Sequence, residues 1–247
     1  MKIALIGYGK MGKALGDVIA ESFHEVVSVS FKNMDDKLDL DKIKKADVAI
    51  DFTSPEIILS NIQKILPLGV NMVVGTTGWY QDIKKVEALV KKNKRALIYG
   101  SNFSIGANIF FATVNYAASL FGKFEDYDVA GLEMHHTGKK DSPSGTAKKL
   151  ADIIMKNVKH KKSLQTGSLN RQIQKQELHF VSLRNGRYFG RHEIYFDSPA
   201  DEIKLTHEAH NRLGFAKGAL YAAEFIKDKH GLYSFEDIFI KEVSKPK

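Results

Sequence analysis

Residues 2–12 read Lys-Ile-Ala-Leu-Ile-Gly-Tyr-Gly-Lys-Met-Gly, and they join an apolar run to a glycine-rich turn. The run from Lys2 to Ile6 is almost continuously apolar, which is typical of a parallel strand buried on both faces. A helical pattern follows at once, from Met11 to Ser22. The chain therefore begins with a strand that turns directly into a helix, and repeats of this unit build parallel sheets covered by helices.

The turn between this strand and helix carries glycines in the spacing Gly-x-Gly-x-x-Gly, at Gly7, Gly9 and Gly12. In this context the first glycine permits a tight turn, the second lets a pyrophosphate approach the backbone, and the third lets helix and strand pack closely. Backbone N–H groups at the helix start then face the anion. The motif predicts a dinucleotide site, and a glycine-rich turn that binds nothing is the weaker interpretation.

Strand and helix patterns continue to alternate over the first hundred residues. Strand patterns cover 25–31, 46–52, 70–74 and 96–99, and helices are predicted from Ser54 and over 80–92. This alternation predicts an α/β, Rossmann-like fold with a doubly wound parallel sheet. The loops Gly75-Thr76-Thr77-Gly78 and Gly100-Ser101-Asn102-Phe103 each follow a strand, at the edge where such sheets bind ligands.

The pattern changes near Ser104, where we expect a domain boundary. A long apolar helix is predicted over 105–121, one helix follows Ser144, and strand-like segments lie near 172–184, 192–196 and 202–207. This arrangement predicts a second, α+β domain with a mostly antiparallel sheet.

Titratable groups are concentrated in residues 133–146, which read Glu-Met-His-His-Thr-Gly-Lys-Lys-Asp-Ser-Pro-Ser-Gly-Thr. A histidine can give or take a proton near neutrality, and a lysine ammonium can donate a proton or hold a carboxylate. Ser144-Gly145-Thr146 opens a helix, so its backbone N–H groups suit a carboxylate. The stretch predicts an anion-binding, proton-transferring site, with His135 and His136 facing opposite ways if they lie on a strand.

Composition excludes several classes of function. The chain of 247 residues has no cysteine, which excludes a disulfide framework, a Cys-ligated zinc and a thiol nucleophile, and we expect a reducing cytoplasm. No apolar run approaches the ~18 residues of a membrane span, and no nucleic-acid-binding signature is present. Most of the net charge of +8 is interpreted as solvated lysine-rich surface, with an anionic ligand as the other source. No metal site is expected, because His207-Glu208-Ala209-His210 is one residue short of the zinc-binding spacing.

The segment Glu133-x-His135-His136-x-x-Lys139-x-Asp141-x-Pro143-Ser144-Gly145-Thr146-Ala147 resembles the signature of the dihydrodipicolinate reductase family, also called 4-hydroxy-tetrahydrodipicolinate reductase. Further matching motifs are Gly7 to Gly12, Asp51-Phe52-Thr53, Gly75 to Gly78, Asn102-Phe103-Ser104, Arg184-x-Gly186, Gly190-x-His192 and Thr206-His207-x-Ala209. The resemblance covers nearly the whole chain. It implies an enzyme of diaminopimelate and lysine synthesis, in which a hydroxylated cyclic dicarboxylate loses water and takes a hydride from NADPH or NADH.

The resemblance also implies roles for individual residues. His135 matches the proton donor and acceptor, Lys139 the second proton donor, and His136, Gly145 and Thr146 the substrate-binding residues. The cofactor loops match Gly7, Tyr8, Gly9, Lys10, Met11, Gly12, Gly75, Thr76, Thr77, Gly100, Ser101, Asn102 and Phe103. The implied architecture is a cofactor domain of residues 1–104, completed by 213–247, and a domain of residues 105–212 that binds substrate and forms a homotetramer.

Two departures from the family bear on the cofactor. The glycine loop is one residue shorter than in many members, and no acid follows the second strand until Asp35. Such an acid binds the ribose hydroxyls of NAD, whereas Lys32, which stands there instead, could meet the 2′-phosphate of NADPH. Either nicotinamide is therefore expected.

Two alternatives stay open. Another two-domain nicotinamide oxidoreductase acting on an amino-dicarboxylate, such as an aspartate dehydrogenase, would share the glycine loop without needing Pro143-Ser144-Gly145-Thr146. A non-catalytic protein that senses NAD(P) or binds nucleic acid would oxidise no NADPH, and any affinity for nucleic acid would fall steeply with salt.

Overall fold

The computed structural model of the chain describes residues 1–31 and 37–244. Its strands and helices, in chain order, are β1 (Lys2–Ile6), α1 (Lys10–Ala20), β2 (Glu25–Ser30), α2 (Leu40–Ile43), β3 (Val48–Asp51), α3 (Pro55–Ile65), β4 (Asn71–Val74), α4 (Ile83–Asn93), β5 (Ala96–Tyr99), α5 (Ile105–Phe121), β6 (Asp128–His135), α6 (Gly145–Asn157), β7 (Ser163–Gln165), β8 (Glu177–Arg184), β9 (Arg191–Asp197), β10 (Glu202–Glu208), α7 (Leu213–Ile226), β11 (Gly231–Ser234) and α8 (Phe235–Val243). Short 3-10 helices at Leu66–Leu68 and Tyr80–Asp82 follow α3 and precede α4.

The chain forms two compact units. Unit 1 comprises Met1–Ile105 together with the segment from Arg212 onward, and unit 2 comprises Gly106–Asn211. Among the described helices, none combines the length and the apolar character that crossing a bilayer requires.

Unit 1 is built on a six-stranded sheet in the order β11-β5-β4-β3-β1-β2, and every neighbouring pair is parallel. Side chains alternate between its faces: Ile3 and Leu5 of β1 enter one core with α1, α7 and α8, while Ala4 and Ile6 enter the other with α3 and α4. Burial on both faces explains the unbroken apolar run of β1. The prediction of a doubly wound, Rossmann-like sheet is confirmed.

The parallel arrangement fixes where the loops lie. Because the strands run in one direction, the loops that follow β1, β3, β4 and β5 leave the sheet at the same edge. Backbone hydrogen bonds tie these strand ends together, from Gly75 N–H to the Asp51 carbonyl oxygen and from Gly100 N–H to the Val74 carbonyl oxygen.

Unit 2 contains a five-stranded sheet in the order β10-β9-β6-β8-β7, with α5 and α6 packed on one face. β9 runs antiparallel to both of its neighbours, β6 and β10. The predicted α+β domain is present, but its sheet is mixed, because β8 runs parallel to both β6 and β7. The reason is topological: α6 connects β6 to the strands on its far side, and a helical crossover returns the chain in the same direction.

Candidate active site

The first glycine turn in unit 1 is shaped by close backbone approaches. Gly7 has a φ of +89°, and a Cβ there would lie 2.5 Å from the carbonyl oxygen of Phe52. A Cβ on Gly12 would collide with the carbonyl oxygen of Gly7. Only glycine satisfies both positions, so the spacing of the motif follows from packing of the turn itself.

Gly9 is different, because no atom lies within 4 Å of the place its Cβ would occupy. Gly9 is the N-cap residue of α1 and is exposed, as is Lys10 in the first turn, while Tyr8 and Met11 are half-buried. The first turn of a helix offers unpaired backbone N–H groups to an anion. This open helix start fits the pyrophosphate of a dinucleotide, which is the group the motif predicts.

The loop after β4 packs under the same edge of the sheet. A Cβ on Gly75 would overlap the ring of Phe52, so this position also requires glycine. Thr76 is buried, and its carbonyl oxygen accepts a hydrogen bond of 2.8 Å from the indole N–H of Trp79. Thr77 is exposed. Of this predicted cofactor loop, Thr77 is therefore the residue whose side chain is available to a ligand.

Asp51, at the end of β3, holds two of these loops together. Its carboxylate is fully buried and accepts hydrogen bonds from the Thr53 N–H and hydroxyl at 2.9 and 2.6 Å, from the Asn61 amide at 2.8 Å, and from the Thr76 hydroxyl at 3.5 Å. Burial raises the pKa of Asp51 to about 6, although each of these hydrogen bonds acts in the opposite direction.

The loop after β5 divides into exposed and buried parts. Ser101 is exposed and donates to the Glu236 carboxylate through its N–H at 3.1 Å and its hydroxyl at 2.8 Å. Phe103 is buried, with its ring centroid 4.6 Å from that of Phe235. A cofactor could therefore meet Phe103 only through its backbone. Gly100 is buried and Asn102 is half-buried, whereas Lys32 lies outside the described residues.

In unit 2, His135 is the last residue of β6 and is buried. Its Nδ1 forms an ion pair with Oε2 of Glu133, two residues earlier on the same strand face. Its ring stands edge-on to that of His192, with the centroids 5.2 Å apart. The imidazole is therefore fixed by a carboxylate on one side and by packing on another.

Glu133 itself has no exposed side-chain surface. Its Oε1 accepts hydrogen bonds from the Arg184 guanidinium at 2.8 Å and from the Ser144 N–H at 3.1 Å. Burial opposes ionisation, but the hydrogen bonds from His135, Arg184 and Ser182 prevail and hold the pKa of Glu133 well below its usual range. The carboxylate is thus ionised and fully engaged.

Lys139 lies in the loop after β6, where its ammonium pairs with Asp141 at 2.8 Å. Its N–H donates to the carbonyl oxygen of His136, and the His136 N–H donates to the carbonyl oxygen of Tyr188. Arg184 reaches the same loop, donating to the carbonyl oxygen of Asp141 at 2.6 Å. The loop that carries His136 and Lys139 is therefore tied to the segment between β8 and β9.

The start of α6 is capped by Ser144, whose hydroxyl accepts from the Ala147 N–H at 3.1 Å. Gly145 is exposed and Thr146 is half-buried, so the helix start is open to a ligand. The Ser144 hydroxyl also lies 3.3 Å from Nε2 of His192. Burial, reinforced by the neighbouring His135, lowers the pKa of His192 to about 3, which keeps that ring neutral.

These contacts place the residues predicted in unit 2 around one hydrogen-bonded network. His135 pairs with Glu133 directly, Gly145 and Thr146 follow the Ser144 N–H that binds Glu133, and the loop of His136 and Lys139 is held by Arg184. Glu133, Arg184 and His192 were not predicted to have roles, although each stands in a motif that carries the family resemblance. Their side chains converge only through strand pairing, which those motifs do not reveal.

Ligand atoms of Glu133, His135 and His192 lie within 4.8 Å of one another, a spacing compatible with a metal ion. The guanidinium of Arg184 already neutralises Glu133, and Nε2 of His192 faces the Ser144 hydroxyl. A cation beside that guanidinium would meet like charge. These residues are better explained as a hydrogen-bonded network around His135.

Comparison with known proteins gives one consistent match. Family profiles described as "Dihydrodipicolinate reductase, N-terminus" and "Dihydrodipicolinate reductase, C-terminus" match residues 1–103 and 106–239. A 4-hydroxy-tetrahydrodipicolinate reductase of Christiangramia forsetii is 38% identical over 96% of this chain and 97% of its own length. One of Methanocaldococcus jannaschii is 35% identical over 95% of this chain and 80% of its own length.

A solved structure gives the same result. Dipicolinate-bound dihydrodipicolinate reductase from Paenisporosarcina sp. TG-14 superimposes with a TM-score of 0.78 at 26% identity. The match covers 96% of this chain and 99% of that chain. Both units are therefore included in the likeness.

Proposed function

Because the chain belongs to the dihydrodipicolinate reductase family, we propose that its two units have separate roles in one reduction. Unit 1 binds a nicotinamide cofactor, and unit 2 binds and protonates the substrate. The enzyme converts 4-hydroxy-tetrahydrodipicolinate to tetrahydrodipicolinate with loss of water, in diaminopimelate and lysine biosynthesis. We assign cofactor binding to residues 1–104 with 213–247 and substrate binding to 105–212. The family match leaves the aspartate dehydrogenase and nucleic-acid interpretations without support.

Unit 1 offers the features that a dinucleotide requires. The open position at Gly9 and the N–H groups of α1 suit the pyrophosphate, and the exposed Lys10 adds positive charge. The loops from Gly75 to Thr77 and from Gly100 to Phe103 leave the same edge of the sheet, where we propose that they line the rest of the site. When bound, the nicotinamide supplies the hydride.

We propose that NADPH and NADH both serve as cofactor. The chain has Lys32 at the end of the second strand pattern, where an NAD-specific site would have an acid. Comparing kcat/KM for the two cofactors tests this directly. Replacing Lys32 by Glu should shift preference toward NADH, and an unchanged ratio would remove Lys32 from the site.

Unit 2 supplies the proton chemistry. Loss of water needs an acid that protonates the leaving hydroxyl and a base that takes a proton from the neighbouring ring carbon. Reduction then needs one proton delivered to the ring besides the hydride. We propose that Lys139 donates to the leaving hydroxyl, while His135 accepts the ring proton and later returns it.

The substrate carries two carboxylates, and unit 2 provides suitable partners for them. The N–H groups of Gly145 and Thr146 lie at the exposed start of α6, where the helix dipole favours an anion. His136, half-buried in the adjoining loop, is proposed as a further binding group. The relative with bound dipicolinate, a ring with two carboxylates, supports a ligand of this class.

The observation that carries the proposal is the pairing of His135 with the buried Glu133 on the strand that leads into the Lys139 loop. A coupled assay, in which dihydrodipicolinate synthase forms the substrate from pyruvate and aspartate semialdehyde, follows loss of nicotinamide absorbance. We expect His135→Gln and Lys139→Ala to lower kcat by roughly 100-fold or more while NADPH binding persists.

Matched controls are available for both substitutions. His179→Gln removes a partly exposed histidine from the same sheet, and Lys140→Ala removes the exposed lysine next to Lys139. Both should retain wild-type turnover. If Lys140→Ala were the inactive variant, the assignment of the second proton donor would be wrong.

We propose a homotetramer joined through the sheet of unit 2. The face turned away from α5 and α6 includes Val181 and Leu183, which are 39% and 45% exposed. On the same face, with β6 between them, Glu193 of β9 is neutralised by Arg191 and Lys204, each at 2.5 Å. A face that is apolar and has its charges paired suits contact with a second copy of the chain.

A further inference from the structure

We propose that Glu133 is a positioning residue whose single buried carboxylate sets His135, the start of α6 and the Lys139 loop in one arrangement. This inference rests on the proposed roles of His135 and Lys139, and it concerns how their geometry is maintained. Three sets of contacts made by Glu133 support this inference.

The first set orients His135. Because Oε2 of Glu133 engages Nδ1, the ring plane is fixed and the opposite nitrogen, Nε2, is left for proton transfer. Nε2 faces Gly190, which has no side chain: a Cβ there would lie 2.9 Å from Nε2.

The second set of contacts connects Glu133 to the start of α6, where Gly145 and Thr146 are proposed to bind a substrate carboxylate. Oε1 of Glu133 accepts from the Ser144 N–H, and the Ser144 hydroxyl caps the N–H of Ala147. Gly145 and Thr146 lie between these two bonds in the sequence. A change in the position of the carboxylate would therefore move the helix start as well as the imidazole.

The third set reaches the Lys139 loop through Arg184. The guanidinium donates to Oε1 of Glu133 at 2.8 Å and to the carbonyl oxygen of Asp141 at 2.6 Å. The Asp141 side chain in turn pairs with the Lys139 ammonium. Arg184 thus ties the loop of the second proton donor to the carboxylate that orients the first.

The same sheet contains a carboxylate that separates a positioning role from a structural one. Glu177, at the start of β8, is buried and accepts hydrogen bonds from Arg171 at 2.7 and 2.8 Å. Its partners are Arg171, Gln165 and the Gln174 N–H, none of which is a predicted site residue. Loss of either carboxylate breaks a buried pair with arginine, and we expect only Glu133 to affect the chemistry.

The test compares Glu133→Gln with Glu177→Gln in the coupled assay, in which kcat and the KM values for the substrate and for NADPH are measured for each variant. We expect Glu133→Gln to lower kcat by roughly 100-fold, the lower end of what a positioned acid contributes. We expect KM for the substrate to rise as well, because the start of α6 loses its contact with the carboxylate, while KM for NADPH stays at the wild-type value. Glu177→Gln should leave kcat and both KM values unchanged.

The outcomes are distinct. Equal losses of kcat in both variants, or a rise in KM for NADPH together with that for the substrate, would mean that Glu133 is only structural, and the inference would be overturned. If Glu133→Gln does not fold, Arg184→Lys keeps the positive charge on a side chain one bond shorter, which falls short of the two oxygens that the guanidinium contacts. It should lower kcat with KM for NADPH unchanged. Wild-type turnover of Arg184→Lys would then overturn the inference. Wild-type turnover of His135→Gln would instead overturn the proposed function.

Discussion

Gly190 shows how one missing side chain leaves room for the His135 imidazole. A Cβ at this position would come within 2.9 Å of Nε2, closer than carbon and nitrogen atoms pack. We expect Gly190→Ala to rotate the imidazole and to lower kcat about tenfold or more. Overpacking and the backbone strain of a side chain at the φ of +158° should together destabilise unit 2 by roughly 1–3 kcal/mol. Turnover and chemical denaturation measure the two effects.

Gly167→Ala is the matched control, because nothing lies within 4 Å of the Cβ it would add. It should leave turnover unchanged and cause little loss of stability. Full activity of Gly190→Ala would show that the imidazole has more room than these contacts indicate.

Asp51 predicts a pH dependence of stability. Its pKa is raised from the ordinary 3.8 to about 6, so the folded protein holds a proton that the unfolded chain releases. The stabilising contribution is full below pH 3.8 and declines as pH rises toward about 6, by on the order of 3 kcal/mol. Asp51→Asn stays neutral, so the stability of the wild type relative to this variant should fall over that interval. Denaturation at several pH values measures the difference, and a constant difference would contradict the raised pKa.

Residue types and spacing predicted more of the proposed proton donors than of their surroundings. His135 and Lys139 stand in a dense local motif, whereas Arg184 meets Glu133 only because β8 pairs with β6. For Phe103, the sequence position alone was misleading. Its place in a loop after a strand suggested contact with the cofactor, but its ring is buried against Phe235.

The start of α6 combines a helix cap with a proposed carboxylate-binding site. Ser144→Ala removes the cap, which should cost about 1 kcal/mol of stability. It also leaves Nε2 of the buried His192 without the hydroxyl. We expect KM for the substrate to rise more than kcat falls, because the N–H groups of Gly145 and Thr146 lose their fixed orientation. Steady-state kinetics and denaturation measure both effects.

Ser234 caps α8 in the same way, its hydroxyl accepting from the Asp237 N–H. Ser234→Ala should therefore lose similar stability without a change in KM for the substrate. If the two variants raised KM equally, the start of α6 would have no special part in binding.

Periodicity identified the long elements and missed the short ones. The helix pattern over 105–121 agrees with α5. In contrast, α2, β7 and β11 have three or four residues each, too few for a period to be read, and their positions depend on neighbouring strands. The strand β6 extends to His135, into the titratable stretch, because buried hydrogen bonds satisfy its polar side chains.

The proposed tetramer predicts that a charge on the apolar face of the unit 2 sheet will disrupt assembly. Leu183→Glu places a charge on the apolar face of the unit 2 sheet, and burying it between subunits would leave it unpaired. We expect the variant to sediment as a smaller species than the wild type, with unit 2 still folded. Sedimentation and circular dichroism provide the measurements.

Val243→Glu is the control, because Val243 on α8 is 50% exposed and belongs to unit 1. It should leave the assembly intact. A wild-type protein that sediments as a monomer would refute the tetramer itself.

The class of fold was predictable from alternating patterns, but composition alone could not have given the reaction. Net charge and the absence of cysteine excluded several classes without selecting one. Residues 133–146 allowed the function to be predicted, because they bring proton donors and a helix start into one short segment. The mixed pairing of the second sheet depends on a crossover through α6, which residue patterns do not show.

The discontinuous composition of unit 1 has a consequence for biosynthesis. One face of its sheet is covered by α7, whose alanines enter the core, and the Asn71 amide donates to the carbonyl oxygens of Ile226 and Lys227 at 2.7 and 2.9 Å. A ribosome makes these residues only after the whole of unit 2. The nascent amino-terminal segment must therefore wait with an apolar surface uncovered, and we expect a truncated product ending at Ile105 to aggregate and to depend on chaperones.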